Sequence, residues 1–85
     1  MKYFVYMLEN ANRRHYIGIT TDPGRRLVEH NNGSTRSTRP FRPWRLIYFE
    51  EFETRQDACK KEWYLKHPGG YKEKLEIINQ YGEVA

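Results

Sequence analysis

The run Tyr3-Phe4-Val5-Tyr6-Met7-Leu8 constrains this chain more than any other stretch, because every one of its residues is apolar or aromatic. It is rich in strand-forming side chains and ends at Glu9-Asn10. In a strand, Phe4, Tyr6 and Leu8 point to one face and Tyr3, Val5 and Met7 to the other. Neither face suits water, so the strand is expected at the centre of a sheet, covered on both sides. Asn10-Ala11-Asn12-Arg13 reads as a turn, and residues 14–20 as a second strand. The connection is too short for a parallel crossover, so the two strands form an antiparallel hairpin. The second strand has unlike faces. Ile17 and Ile19 look toward a core, while Tyr16, Gly18 and Thr20 share the other side. Gly18 makes that side shallow, as the close approach of a substrate backbone requires.

A helix follows. Asp22 is its N-cap, Pro23 its first residue, and Asn31-Asn32-Gly33 its end. Its apolar content is thin, with little beyond Leu27 and Val28. Residues 33–43 form a polar loop, and 44–52 a third strand. Thr54, with Asp57 three residues later, caps a second helix that runs to about Lys66 and stops before Pro68-Gly69-Gly70. A third helix spans 71–81, with Leu75 and Ile78 on one side and Gly82 as its stop. The order β-β-α-β-α-α predicts an α+β fold: a small three-stranded antiparallel sheet flanked by helices. With 85 residues, the chain is read as one domain, 1–85. Domains this small bury only about 60% of their unfolded surface. Aromatics at 15% help, because large rings fill a core quickly.

Lys and Arg number 15 against 11 Asp and Glu, a net charge of +4 that favours an anionic partner, nucleic acid foremost. Cys59 is the sole cysteine, so no internal disulfide forms, and a reducing, cytoplasmic setting is expected. No stretch approaches the roughly 20 apolar residues of a membrane span, so no membrane partner is expected. The N-terminal run lacks the small-residue cleavage site of a secretory signal. On the second helix Ala58, Glu62 and Leu65 share a face, which sets a carboxylate inside an apolar stripe. Such a group is costly to bury unpaired. It is either an edge residue whose carboxylate reaches solvent or pairs with a nearby Arg, or a metal ligand or acid–base group. Arg26 and His30 lie one turn apart, as a solvated stripe or as a phosphate clamp beside a proton carrier. Tyr6 and Tyr16 are core aromatics or acid–base groups. Cys59, His15, His30 and His67 lack zinc-ligand spacing.

Over residues 3–67 the chain resembles the GIY-YIG endonuclease superfamily. Tyr16-Ile17-Gly18 matches its second motif. Phe4-Val5-Tyr6 is a degenerate first motif that keeps the tyrosine and lacks the glycine, and the spacing between the two tyrosines matches. The nearest likeness is to the short stand-alone group, through Tyr16-Ile17-Gly18-Ile19-Thr20-Thr21-Asp22 and the stretch from Arg42-Pro43-Trp44 to Glu50-Glu51-Phe52. The resemblance implies catalytic roles for Tyr6, Tyr16, Arg26, His30 and Glu62, with Arg25 a possible substitute for Arg26. Lys66-His67-Pro68-Gly69-Gly70-Tyr71 departs from the group's usual basic and aromatic turn. That leaves only Asn79 to consider as the family's downstream polar residue.

The implied activity is that of a metal-dependent DNA endonuclease, with Mg²⁺ or Mn²⁺ held mainly by Glu62. The metal stabilises the departing 3′ oxygen and Arg26 neutralises the nonbridging oxygens. Tyr6 takes the proton of the attacking water with Tyr16 orienting it, or the two exchange roles. An ordinary phenol titrates near pH 10. Arg26 and the metal are therefore expected to lower Tyr6, and the rate to climb toward alkaline pH. The segment from Arg36 to Arg45 repeats arginine every third residue between prolines and rings. It reads as a phosphate track of Arg36, Arg39 and Arg42 beside Arg25, with Phe41 and Trp44 for base stacking. The other reading is a solvated basic loop in which Trp44 anchors the next strand. Arg13, Arg14 and His15 add charge at the hairpin. So small a domain leaves little surface for a long duplex, so single-stranded or branched DNA is expected ahead of intact duplex. A non-catalytic nucleic-acid-binding module on the same fold is the alternative; a protein partner has no positive signal.

Overall fold

A computed structural model describes residues 1–82. The strands are β1 (Tyr3–Asn10), β2 (His15–Thr20) and β3 (Trp44–Phe52); the helices are α1 (Pro23–Asn31), α2 (Arg55–Lys66) and α3 (Tyr71–Tyr81). Short 3₁₀ turns occupy Arg39–Phe41 and Pro68–Gly70. The sheet runs β2-β1-β3 with both pairings antiparallel, so β1 is central and the fold is α+β.

The alternation of β1 divides the interior into two layers. Val5 and Met7 meet Ile17, Ile47, Ala58, Leu65, Ile77 and Ile78 beneath α2 and α3. Tyr6 and Leu8 meet Trp44, with Tyr16, Leu27, Phe41 and Leu46 around them, beneath α1 and the loop before β3. Fully burying each large apolar side chain is worth about 1.5–3 kcal/mol, so both layers are needed in a chain this short. Between Met7 and Leu8 the pairing to β3 shifts register, from Tyr48 to Leu46, which gives Ile47 to the first layer and Leu46 to the second.

The caps follow the sequence. Asp22 Oδ1 accepts from the Arg25 N–H at 3.1 Å, and Thr54 Oγ1 from the Asp57 N–H at 3.1 Å. Gly33 sits beyond the end of α1 at φ 82°, a conformation that favours glycine.

Three details depart from expectation. First, β1 runs two residues past its apolar run, and both Glu9 and Asn10 are buried. Their polar groups are met. Glu9 faces His15 Nε2 at 2.8 Å, Arg13 Nε at 3.2 Å and the Arg45 guanidinium. Asn10 Oδ1 accepts from the N–H groups of Asn12 and Arg14, and its amide donates to Phe41 O. Second, Val28 on α1 is exposed, while the fully buried residue of that helix is His30. The helix is seated by a polar group as well as by Leu27. Third, α3 buries Ile77 and Ile78 together, and Leu75 is 38% exposed.

Leu65→Ala should cost about 2–5 kcal/mol, the range for emptying a packed aliphatic site. Urea denaturation should show a lower midpoint at unchanged slope.

Candidate active site

In the β1–β2 register Tyr6 lies opposite Gly18. A Cβ at position 18 would stand 2.9 Å from Tyr6 Oη and 3.1 Å from Tyr16 Cε2. The shallow patch expected above Gly18 for a substrate backbone is thus already filled by the Tyr6 phenol. Glycine is required there because a ring lies against the strand.

The phenol is 1% exposed and bonded at its tip. Tyr6 Oη is 2.8 Å from His30 Nε2, and His30 Nδ1 is 2.7 Å from Thr38 Oγ1. Thr38 Oγ1 in turn donates to Thr35 O at 3.3 Å. A hydroxyl has one proton to give. Having given it to Thr35, Thr38 accepts from an Nδ1–H, so Nε2 is the bare nitrogen and accepts the Tyr6 O–H. Tyr16 completes the cluster, with ring centroids 4.9 Å from His30 and 6.2 Å from Tyr6.

The electrostatics correct one sequence expectation. Burial, followed by the neighbouring Tyr16, raises the Tyr6 phenol well above its ordinary value. Arg26 pulls it down and Glu62 pushes it up, but burial prevails. Burial and the Arg26 charge hold His30 below the usual imidazole value, so at pH 7 it is a neutral acceptor.

Arg26 is half-buried on α1, and its Nη1 donates to Glu29 Oε1 at 2.9 Å. Arg25, exposed, also approaches Glu29, at 3.6 Å. Glu62 is half-buried on α2 and accepts from Lys66 Nζ at 2.9 Å, so its cation is a lysine one turn along its own helix in place of the arginine expected. It lies near enough to Tyr6 to act on the phenol. Tyr6, Tyr16, Arg26, His30 and Glu62 therefore share one neighbourhood. Among the described residues no group of three or more His, Cys, Asp and Glu side chains forms a metal cage. Glu62 is the carboxylate that acts on the Tyr6 phenol, and a single carboxylate is a donor set compatible with a divalent ion that keeps most of its waters, with Lys66 as the competing cation.

The loop before β3 changes the reading of its rings. Trp44 is 5% exposed and its indole N–H donates to Thr38 O at 2.9 Å, so it anchors β3 and offers no face for base stacking. Phe41 is half-buried, with the Arg14 guanidinium 3.8 Å above its ring. Arg39 Nε donates to Gly33 O and Arg42 Nε to Arg39 O, which ties both residues into the loop. Arg36 is exposed. Asn79 is exposed on α3. Sequence reasoning missed Glu29 and Thr38. Glu29 had a signal, three residues from Arg26 and four from Arg25 on one helix. Thr38 had none, since only the folded loop brings it to His30.

A family model of the GIY-YIG catalytic domain matches residues 2–74. The chain belongs to the GIY-YIG family. The UPF0213 protein YsiG of Lactococcus lactis is 36% identical to it over 78 residues, 91% of this chain and 75% of that protein. The UPF0213 protein lin0209 of Listeria innocua is 44% identical over 62 residues, 72% of this chain and 69% of that protein. The solution NMR structure of the UPF0213 protein BH0048 from Bacillus halodurans superposes with a TM-score of 0.58 at 31% identity, covering 96% of this chain and 88% of that one. The fold is thus that of a small stand-alone GIY-YIG group within a nuclease family.

Gly18→Ala should displace the Tyr6 ring. The expected cost is about 1–3 kcal/mol of stability in urea denaturation, as for other overpacked sites. The His30 ring-nitrogen NMR shifts should move from those of a pure Nδ1–H tautomer; unchanged shifts would show that Tyr6 had not moved.

Proposed function

We propose that residues 1–85 act as one metal-dependent DNA endonuclease domain, working in the cytoplasm on single-stranded or branched DNA ahead of intact duplex. The observation that carries this reading is the Tyr6–His30–Thr38 chain of hydrogen bonds, flanked by Arg26 and Glu62. A neutral imidazole behind a buried phenol is a proton sink in the place where a general base is needed. The exposed Arg25 and Arg36 and the excess of positive charge support a polyanionic substrate. No helix among the described residues is long and apolar enough to cross a membrane.

Tyr6 is assigned as base because it is the tyrosine with an acceptor for its own proton. Substrate binding has to part Tyr16 and Arg26 enough to bring a water to the otherwise buried Tyr6 tip; as that water attacks phosphorus, its proton passes to Tyr6 Oη while the phenol proton passes to His30 Nε2. No free phenolate accumulates, so the raised phenol is no obstacle. The new P–O bond forms as the bond to the 3′ oxygen breaks, leaving a 5′-phosphate and a 3′-hydroxyl protonated from solvent. Arg26, held by Glu29, neutralises the nonbridging oxygens. Half-buried Tyr16 lines the substrate side and orients the water. Glu62 would hold Mg²⁺ or Mn²⁺ once Lys66 swings away. Bound there, the ion supplies charge stabilisation to the leaving oxygen.

Glu62→Gln should lower cleavage of branched and single-stranded oligonucleotides on the order of 1,000-fold, the scale of several kcal/mol of lost charge stabilisation. Equal cleavage by this variant would remove the metal assignment. Binding by wild type with no cleavage at any divalent metal would leave a binding module instead. Tyr6→Phe should cost about 10²–10⁴ in rate, as removal of a general base does. A larger loss from Tyr16→Phe would exchange the two roles.

The pH profile provides a separate test. His30 must be neutral, and its value lies below the ordinary 6.5. The rate should therefore rise on the acid side of that value and stay level up to pH 9, in place of the alkaline climb expected from an isolated tyrosine. A rate still growing tenfold per pH unit above 7 would mean that free phenolate is the base.

A further inference from the structure

The rings nominated for base stacking before β3 are buried or covered, yet α2 presents another. Trp63 is 63% exposed. One side of its indole is stacked on His67, with centroids 4.0 Å apart and planes 15° from parallel. His67 is itself fixed, its Nδ1–H donating to Trp63 O at 2.6 Å. Helical spacing puts His67 one turn toward the C-terminus and Cys59 and Lys60 one turn toward the N-terminus. On that N-terminal side lies a surface recess of about 360 Å³ lined by Gln56, Cys59, Lys60 and Trp63. Arg55 and Lys60 are exposed on the same helix, and neither takes part in an ion pair among the described residues. Glu62, at the active site, precedes Trp63 in α2 and so points about 100° round the helix from it.

We infer that Trp63 is a stacking platform for one base of single-stranded DNA, on the face of α2 adjoining the one that carries Glu62. The inference rests on the nuclease reading and names the part of the substrate that the outer face of α2 holds. The His67 ring pre-orders the indole, which lowers the cost of fixing it on binding. The recess admits a planar group against the indole, with Lys60 in its lining and Arg55 further toward the N-terminus of α2 to meet the phosphates on that side. Stacking accepts any base, because every base has a π-face. The rim argues against a second copy of this chain as occupant. A two-fold contact centred on Trp63 would set Lys60 against its own counterpart if the helices ran parallel and against Lys66 if antiparallel, cation on cation either way, whereas a polyanion neutralises them.

The two tryptophans make the test direct, since Trp44 is buried and Trp63 is not. Oligothymidylate is titrated into the protein in chelator, and tryptophan emission and affinity are followed. Wild-type emission should be quenched, and Trp63→Phe should bind with the quench removed. Trp63→Ala should bind about five- to 150-fold more weakly, the span of one lost base stack. An abasic oligonucleotide of equal length should bind wild type as weakly as oligothymidylate binds Trp63→Ala. Unquenched emission with equal affinity of Trp63→Ala would overturn the platform. So would a wild-type dimer in light scattering that Trp63→Ala converts to monomer, which would assign the face to self-association. The two readings fail separately. Cleavage with unquenched emission removes the platform alone, while quenching without cleavage at any divalent metal removes the nuclease and keeps the base-binding face.

Discussion

A strand that is apolar on both faces needs cover on both, and β1 obtains it from two unlike sources. Beneath Val5 and Met7 the cover is aliphatic, from α2 and α3. Above Tyr6 and Leu8 it is aromatic and polar, from α1 and the loop that carries Thr38. The first layer does the ordinary work of a hydrophobic core. The second is both core and chemistry, since the proposed base is among its most buried residues. The proposed site is therefore rigid because it is interior. The helix that brings Arg26 is seated through the same histidine that receives the proton.

The parts of this arrangement written in local pattern could be read before folding. The alternation of residues 3–8, the inward isoleucines of β2 and the caps at Asp22 and Thr54 each depend on near neighbours. So do the motif Tyr16-Ile17-Gly18 and the shared face of Arg26 and His30. What escaped was what partners distant in the chain decide. Glu9 and Asn10 look like a strand end, and only the cations and amides brought to them by β2, β3 and the turn make them interior. Gly18 looks like open space, until Tyr6 is set across from it. The direction of the Tyr6 shift also depended on burial, which its neighbours in sequence do not report.

The two tryptophans show the same limit. Both stand in basic, aromatic surroundings in the sequence. The one with arginines every third residue around it proves to be the anchor of β3. The other, on a helix chosen for its carboxylate, faces water with a histidine laid against it. Spacing along a loop does not say which rings the sheet will claim, whereas spacing along α2 places Trp63 one turn from His67 once the helix is granted.

The burial of His30 has a consequence for how this domain meets acid. Its imidazole is held below the ordinary value in the fold and returns to about 6.5 when the chain opens. The unfolded chain thus binds the extra proton first. Stability is whole above pH 6.5 and drains away as pH falls toward the folded value. The proton that costs stability is also the one that occupies Nε2 and blocks it from receiving another from Tyr6. The two effects come in order: stability is lost between pH 6.5 and the folded value, and the proposed base is silenced only as pH falls through the folded value, so between them the domain is weakened while Nε2 is still free.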